Sequence, residues 1–150
     1  MPARNLGERK SFECDDDVGF DGQGYLLQPG NDFADDPHRD SVRKTEAVED
    51  PVIGVNYTST YDEEDEYIME GWRVPVIHDG YPNVLCEEGY NYELGDAVYV
   101  SAEDGIATHA DGAEAEATKA GNVISSMDLS DAGGPTLVQI DLTSNLGDAE

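Results

Sequence analysis

From residue 51 onward the chain alternates short apolar, β-branched runs with clusters of Gly, Pro, Asn and Asp. The runs are PVIGVNYT at 51–58, WRVPVI at 72–77, VLC at 84–86, AVYV at 97–100, IATH at 106–109, NVISSMDL at 122–129 and TLVQIDL at 136–142. The last alternates apolar and polar residues in part, as a half-buried strand should. Between the runs stand turn signals: Asp79-Gly80-Tyr81-Pro82-Asn83, Glu87-Glu88-Gly89, Gly95-Asp96, Glu103-Asp104-Gly105 and Asp131-Ala132-Gly133-Gly134-Pro135. Pro75 inside the second run marks an edge strand or a bulge. The Ala- and Glu-rich segment 110–120 suits a short helix or a charged loop, and 143–150 reads as a frayed end. Short strands at near-regular spacing predict an all-β fold, a small barrel or sandwich.

The first fifty residues differ. Gly, Pro and Asp are scattered through them, no helical period is present, and Tyr25-Leu26-Leu27-Gln28 is the one strand candidate. The chain therefore divides into a long, largely irregular N-terminal arm, 1–50, and a β-rich domain, 51–150. Single apolar residues in the arm, Phe12, Phe20, Tyr25, Leu26, Leu27 and Phe33, are spaced like anchors. Such a segment suits an arm that orders on a partner, or a plain disordered tail.

Charge narrows the setting. There are 34 acidic residues against 8 basic ones, a net charge of -26, and only three lysines, Lys10, Lys44 and Lys119. Self-repulsion of that size opposes a compact state at low ionic strength. Molar salt shortens the Debye length to roughly 3 Å and removes most of the penalty. A protein made for high salt is expected, not an acidic disordered tail, because 38% of residues are hydrophobic and cluster into runs. The same charge argues against nucleic acid or an anionic membrane as partner. No apolar run approaches the roughly 20 residues of a membrane span. The start, MPARNLGERK, lacks the apolar core of a secretory signal, which predicts a chain made in the cytoplasm. In a reducing cytosol Cys14 and Cys86 read as free thiols; a disulfide between them would tie the arm to the domain.

Candidate chemistry changes little. His38, His78 and His109 are isolated in the sequence, each near Asp or Ala, and no Ser-His-Asp set, GxGxxG or phosphate loop is present. Asp17 to Gly22 resembles the start of a calcium loop, but Gly19 and Gln28 stand where ligands belong. Asp15–Asp17 and Asp62–Glu66 suit diffuse cation condensation. Trp72, Tyr81, Tyr90, Tyr92 and Tyr99 read as core or subunit interface, with a sugar-binding face as the competing use. No catalytic residue, cofactor or metal is expected, and the chain does not read as an enzyme.

The order of pieces in the second part carries a resemblance. Gly95-Asp96-Ala97-Val98-Tyr99-Val100 is followed by an acidic turn and Gly105-Ile106-Ala107. Then come the Ala-rich 113–120, Gly121-Asn122-Val123-Ile124, Gly133-Gly134-Pro135 and Leu137-Val138-Gln139-Ile140-Asp141-Leu142. In this order the segment from about Pro51 to Leu142 resembles the small β-domains of tailed-virus capsid decoration proteins. The acidic insertion 62–66 and the arm depart from that pattern. The resemblance implies a non-enzymatic virion protein on the outside of a capsid, often a homotrimer. With the salt argument it implies the tailed virus of a haloarchaeon. The partners it implies are the major capsid protein and further copies of the chain. The arm holds six of the eight basic residues, so Arg39 and Arg43 join Phe12, Phe20, Tyr25, Leu26, Leu27 and Phe33 as the expected capsid-binding set. Deleting 1–50 is then expected to abolish capsid binding and leave the domain folded. A capsid turret or spike that binds host-surface glycans through the tyrosines is the rival reading.

Overall fold

The structure, a computed structural model, describes residues 7–14, 23–30, 41–56 and 73–142, the segments 7–14 and 73–75 by backbone. It is all-β. The strands are β1 (Gly7–Cys14), β2 (Leu26–Pro29), β3 (Ser41–Lys44), β4 (Gly54–Asn56), β5 (Arg73–Gly80), β6 (Asn83–Cys86), β7 (Asn91–Tyr92), β8 (Ala97–Val100), β9 (Ala107–His109), β10 (Lys119–Val123), β11 (Met127–Asp128) and β12 (Thr136–Leu142). Among the described residues the helical content is one 3₁₀ turn, Ala110–Gly112.

Ten of these strands close into two five-stranded barrels, β1-β3-β2-β4-β5 and β10-β12-β6-β9-β8, while β7 and β11 pair as a separate ribbon. The two barrels have the same wiring. In each, the first strand pairs in parallel with the third, and the other four pairings, third with second, second with fourth, fourth with fifth and fifth with first, are antiparallel. The registers match residue for residue. Leu27 faces Lys44 and Pro29 faces Val42, as Val98 faces His109 and Val100 faces Ala107. Leu27 also faces Gly54 and Asn56 faces Val76, as Val98 faces Gly121 and Val123 faces Ile140. Cys14 pairs in parallel with Val42, and Cys86 with Ala107, so the two cysteines hold equivalent places.

The matching extends to local detail. Gly54 and Gly121 are equivalent, and each lets the fifth strand come close: a Cβ on Gly54 would collide with Val76 Cγ1 and the Ile77 carbonyl, and one on Gly121 with Ile140 Cδ1 and the Asp141 carbonyl. Those are equivalent neighbours. Just before the second strand stand Gly24 (φ 93°) and Gly95 (φ 91°), in the left-handed region glycine favours. Gly24 N–H donates to Asn56 O (3.1 Å) and Asn56 N–H to Tyr25 O (3.4 Å); Gly95 N–H donates to Val123 O and Val123 N–H to Asp96 O (both 2.8 Å). The molecule is one structural unit built twice.

The interior of the second barrel and its junction with the first form one apolar cluster, while Leu27, Val42 and Val76, the equivalents of Val98, Ala107 and Ile140, are buried inside the first barrel and do not belong to it. Alternation points Val84 and Cys86, Val98 and Val100, and Val138, Ile140 and Leu142 inward from β6, β8 and β12. Leu26, Val52 and Val55 of the first barrel belong to the same cluster.

The all-β fold and closed barrel match the expectation. The path of the chain through its first fifty residues differs in detail. Three strands of the first barrel, β1, β2 and β3, lie there and pair with β4 and β5 beyond residue 50. GERKSFEC and SVRK are rich in charge and poor in β-branched residues, so pairing with neighbours, not local propensity, makes them strands. The register break in β5 falls at His78, between Asp79, which faces Glu8, and Ile77, which faces Arg9, and not at Pro75. The run 122–129 divides into the end of β10 and the separate β11, and β10 begins within the Ala-rich segment.

Candidate functional site

The densest side-chain constellation among the described residues lies where the third strand of the second barrel ends. His109, the last residue of β9, is 8% exposed. Its register opposite Val98 sets it beside the Glu93–Asp96 turn that opens β8. Nε2 lies 2.8 Å from Asp96 Oδ2, and Nδ1 accepts a hydrogen bond from the Asp111 backbone N–H at 3.0 Å. Because Nδ1 accepts, the neutral ring carries its proton on Nε2 and donates it to Asp96. His109 thereby caps the 3₁₀ turn and holds the β8 turn at the same time. The Asp111 carboxylate stands 3.6 Å from Nδ1.

Two tyrosines complete the cluster. The Tyr90 ring stacks on the imidazole, with centroids 5.8 Å apart and planes 8° from parallel, and Tyr92 meets it edge-on at 5.2 Å. Gly112 leaves room for Tyr90, since a Cβ there would collide with the Tyr90 hydroxyl. Tyr92 is fully buried and donates to the Glu87 carbonyl at 2.7 Å. Burial pushes its phenol above the ordinary range, and nearby Cys86 and Glu87 add to the shift. Burial likewise raises the Cys86 thiol to about 12, with Glu87 contributing. The hydrogen bond from His109 holds the Asp96 carboxyl below its usual value, and the backbone bond from Glu93 acts the same way.

Both ring nitrogens of His109 are engaged, one by a carboxylate and one by a backbone N–H. Neither is presented to a substrate in this arrangement, so the cluster is a clasp that fixes the β8 turn to β9. Among the described residues no group of three or more His, Cys, Asp and Glu is placed to hold a metal ion, and no helix is long and apolar enough to cross a membrane.

The first barrel has a counterpart. Lys44 stands where His109 stands and Tyr25 where Asp96 stands, and the Lys44 ammonium lies over the Tyr25 ring, 5.0 Å from its centroid. Each barrel thus joins the end of its third strand to the residue before its second, once by cation–π attraction and once by a charged hydrogen bond.

Among the described residues, the expected capsid-binding set does not form one surface. Leu26 and Leu27 are 0% exposed, so their side chains are core and present no surface to a partner. Tyr25 is half-buried under Lys44. Arg43 is half-buried and pairs with Glu46 at 3.0 Å. Phe12 lies on β1, described by backbone, while Phe20, Phe33 and Arg39 lie outside the described residues. Among the described residues the aromatic set does not form one face either: Tyr92 is buried, Tyr90 packs on His109, Tyr99 is half-buried on β8 and Tyr81 is exposed, while Trp72 is outside the described residues. Cys86 is a buried free thiol.

No protein-family model matches this chain, and the comparison with curated proteins found none similar to it.

Proposed function

We propose that the chain is a structural virion protein that binds the outside of the capsid of a halophilic tailed virus and stabilises the head. The observation that carries this reading is the order of the motif pieces, all of which fall within one barrel. The pieces from Gly95 to Leu142 that resemble decoration proteins follow one another as β8, β9, β10 and β12 of one closed barrel. The net charge of -26 supports the same reading, since a dense carboxylate surface keeps an outer protein soluble in brine. Many copies bridging neighbouring capsid subunits add buried area at about 25 cal/mol/Å² each, against the outward push of packaged DNA. The glycan-binding alternative loses support from the burial of Tyr92 and the packing of Tyr90.

Leu26 and Leu27 are withdrawn from the docking set because they are core, which leaves Phe12, Phe20, Tyr25, Phe33, Arg39 and Arg43 as its proposed members. Removing residues 1–50 would also remove β1, β2 and β3 from the first barrel, so truncation is not a clean test. The test uses the full chain: co-sedimentation, in molar KCl, with haloarchaeal tailed-virus heads stripped of their outer proteins. A fixed ratio of bound chains to capsid subunits, reduced by Phe20→Ala with Phe33→Ala, is expected. Heads that sediment without the chain would overturn the reading.

A further inference from the structure

The two barrels meet head to tail, not face to face. The first contributes the start of β2 and the end of β3, and the second contributes β6, the start of β12 and the turn before β9. Gly24 O accepts from Leu85 N–H (2.9 Å), Leu26 N–H donates to Gly105 O (2.8 Å), and Gly105 N–H donates to Thr45 O (2.8 Å). A Cβ on Gly24 would lie 2.6 Å from Leu137 Cδ2 and 3.2 Å from Leu85 N, so this glycine sits directly against the neighbouring barrel.

The equivalent glycine of the second barrel, Gly95, has the same φ and the same backbone bonds, yet nothing lies within 4 Å of a Cβ there. Beside it Leu94 is 70% exposed, the most exposed large apolar residue among those described. Leu94 N–H donates to Ser126 Oγ (2.9 Å), which brings the adjacent Met127, itself 41% exposed, to the same patch. A head-to-tail contact made once within the chain has a second equivalent of each face, Gly95 on the second barrel and β1 with the start of β5 on the first. We propose that the open face around Leu94, Gly95 and Met127 takes the first barrel of a second copy of this chain, docking it along β1 and the start of β5.

The occupant follows from the repeat. β1 and β5 hold the places of β6 and β12, so Ser11, Glu13 and Arg73 stand where Asn83, Leu85 and Leu137 meet Gly24. The residue types at these backbone positions are more polar than their equivalents. Gly95 O accepts from Asn122 Nδ2 (3.1 Å) and keeps a second lone pair for a neighbour's backbone N–H, the bond that Gly24 O accepts from Leu85. The contact between copies depends on concentration, and on salt to screen their like net charge. Repeated head to tail, such a contact closes into a ring or grows into a filament. The inference rests on the duplicated barrel and is independent of the capsid reading.

Sedimentation of the full chain in molar KCl over a concentration series tests it. The mass is expected to rise above one chain, and amide exchange is expected to slow at 93–97 and 11–14 as it does. Leu94→Arg, on an exposed position, is expected to weaken association by about tenfold or more with an unchanged circular dichroism spectrum. A single-chain mass at every concentration, association unaffected by Leu94→Arg, or protection confined to other segments would each overturn the proposal.

Discussion

The two barrels share strand order, register and glycine placement, yet they hold the same junction with different chemistry. In the first, a lysine ammonium lies over a tyrosine ring; in the second, a histidine donates to a carboxylate and is stacked by another tyrosine. The backbone solution has been kept and the side-chain solution has not. Register is fixed by the geometry of a closed barrel, where a one-residue slip would turn the core face outward. The junction residues are at the barrel rim, where any pair that holds the turn suffices.

The comparison breaks most forcefully in the apolar cluster that joins the barrels. Leu26 belongs to the first barrel but packs within the cluster that contains Val98 and Ile140 of the second. Leu26→Ala is expected to cost about 2–5 kcal/mol. Followed by circular dichroism during urea titration in molar KCl, it should lower one common transition. Two separated transitions would show that the barrels unfold independently.

A sharper contrast lies in the paired glycines. Gly24→Ala and Gly95→Ala both force alanine into the left-handed region, at roughly 1–2 kcal/mol. Gly24→Ala adds a collision with the end of the Leu137 side chain and tight contacts with the β6 backbone, for about 1–3 kcal/mol more. The midpoint shift for Gly24→Ala should therefore be about twice that for Gly95→Ala in dilute solution. Equal shifts would contradict the difference in surroundings on which the head-to-tail description rests.

The all-β character and most strand positions from β6 to β12 were legible in the sequence because those runs are apolar, β-branched and bounded by Gly-rich turns. The first barrel was legible in part, since β2, β4 and β5 overlap the runs at 25–28, 51–58 and 72–77. β1 and β3 are charged strands recognisable only through their partners, and Leu26 and Leu27 resembled anchors because a short apolar pair looks the same whether it meets a partner or a core. The repeat was hidden for a related reason. Its equivalent positions keep glycine at 24 and 95 and at 54 and 121, and cysteine at 14 and 86, but differ at most others, as Tyr25 does from Asp96 and Lys44 from His109. His109 read as an isolated histidine because its carboxylate lies thirteen residues away, joined only by the β8–β9 register.

That junction supplies a third test. The folded-state pKa of Asp96 is lowered, so its contribution to stability is complete above the ordinary carboxylate value of 3.8 and is lost as pH falls through the lower folded value. The double substitution His109→Lys with Asp96→Tyr installs the pair found in the first barrel. It is expected to fold and to lose this part of the acid sensitivity, read as a flatter dependence of the thermal midpoint on pH below about 4. Failure of the double variant to fold, while Asp96→Asn folds, would mean the two junctions are not interchangeable and the equivalence is confined to the backbone.

The smallest expected effect is at the paired cysteines. Cys86 is completely buried on β6, next to Ala107 across a parallel pairing, and its thiol is raised to about 12. The thiolate is the reactive form, so at pH 8 the native chain presents almost none of it and no path for a reagent. Iodoacetamide is expected to leave Cys86 unmodified in the folded chain and to label it after denaturation, as mass spectrometry of the peptide spanning 83–92 would show. Oxidant is expected to leave the thermal midpoint unchanged through this residue, because a disulfide to Cys14 would have to join positions that occupy the same place in two different barrels. Rapid labelling of Cys86 in the native state would mean that the second barrel opens at β6, the strand against which the first barrel rests, and the apolar cluster that joins the barrels would then be too weak to hold them as one unit.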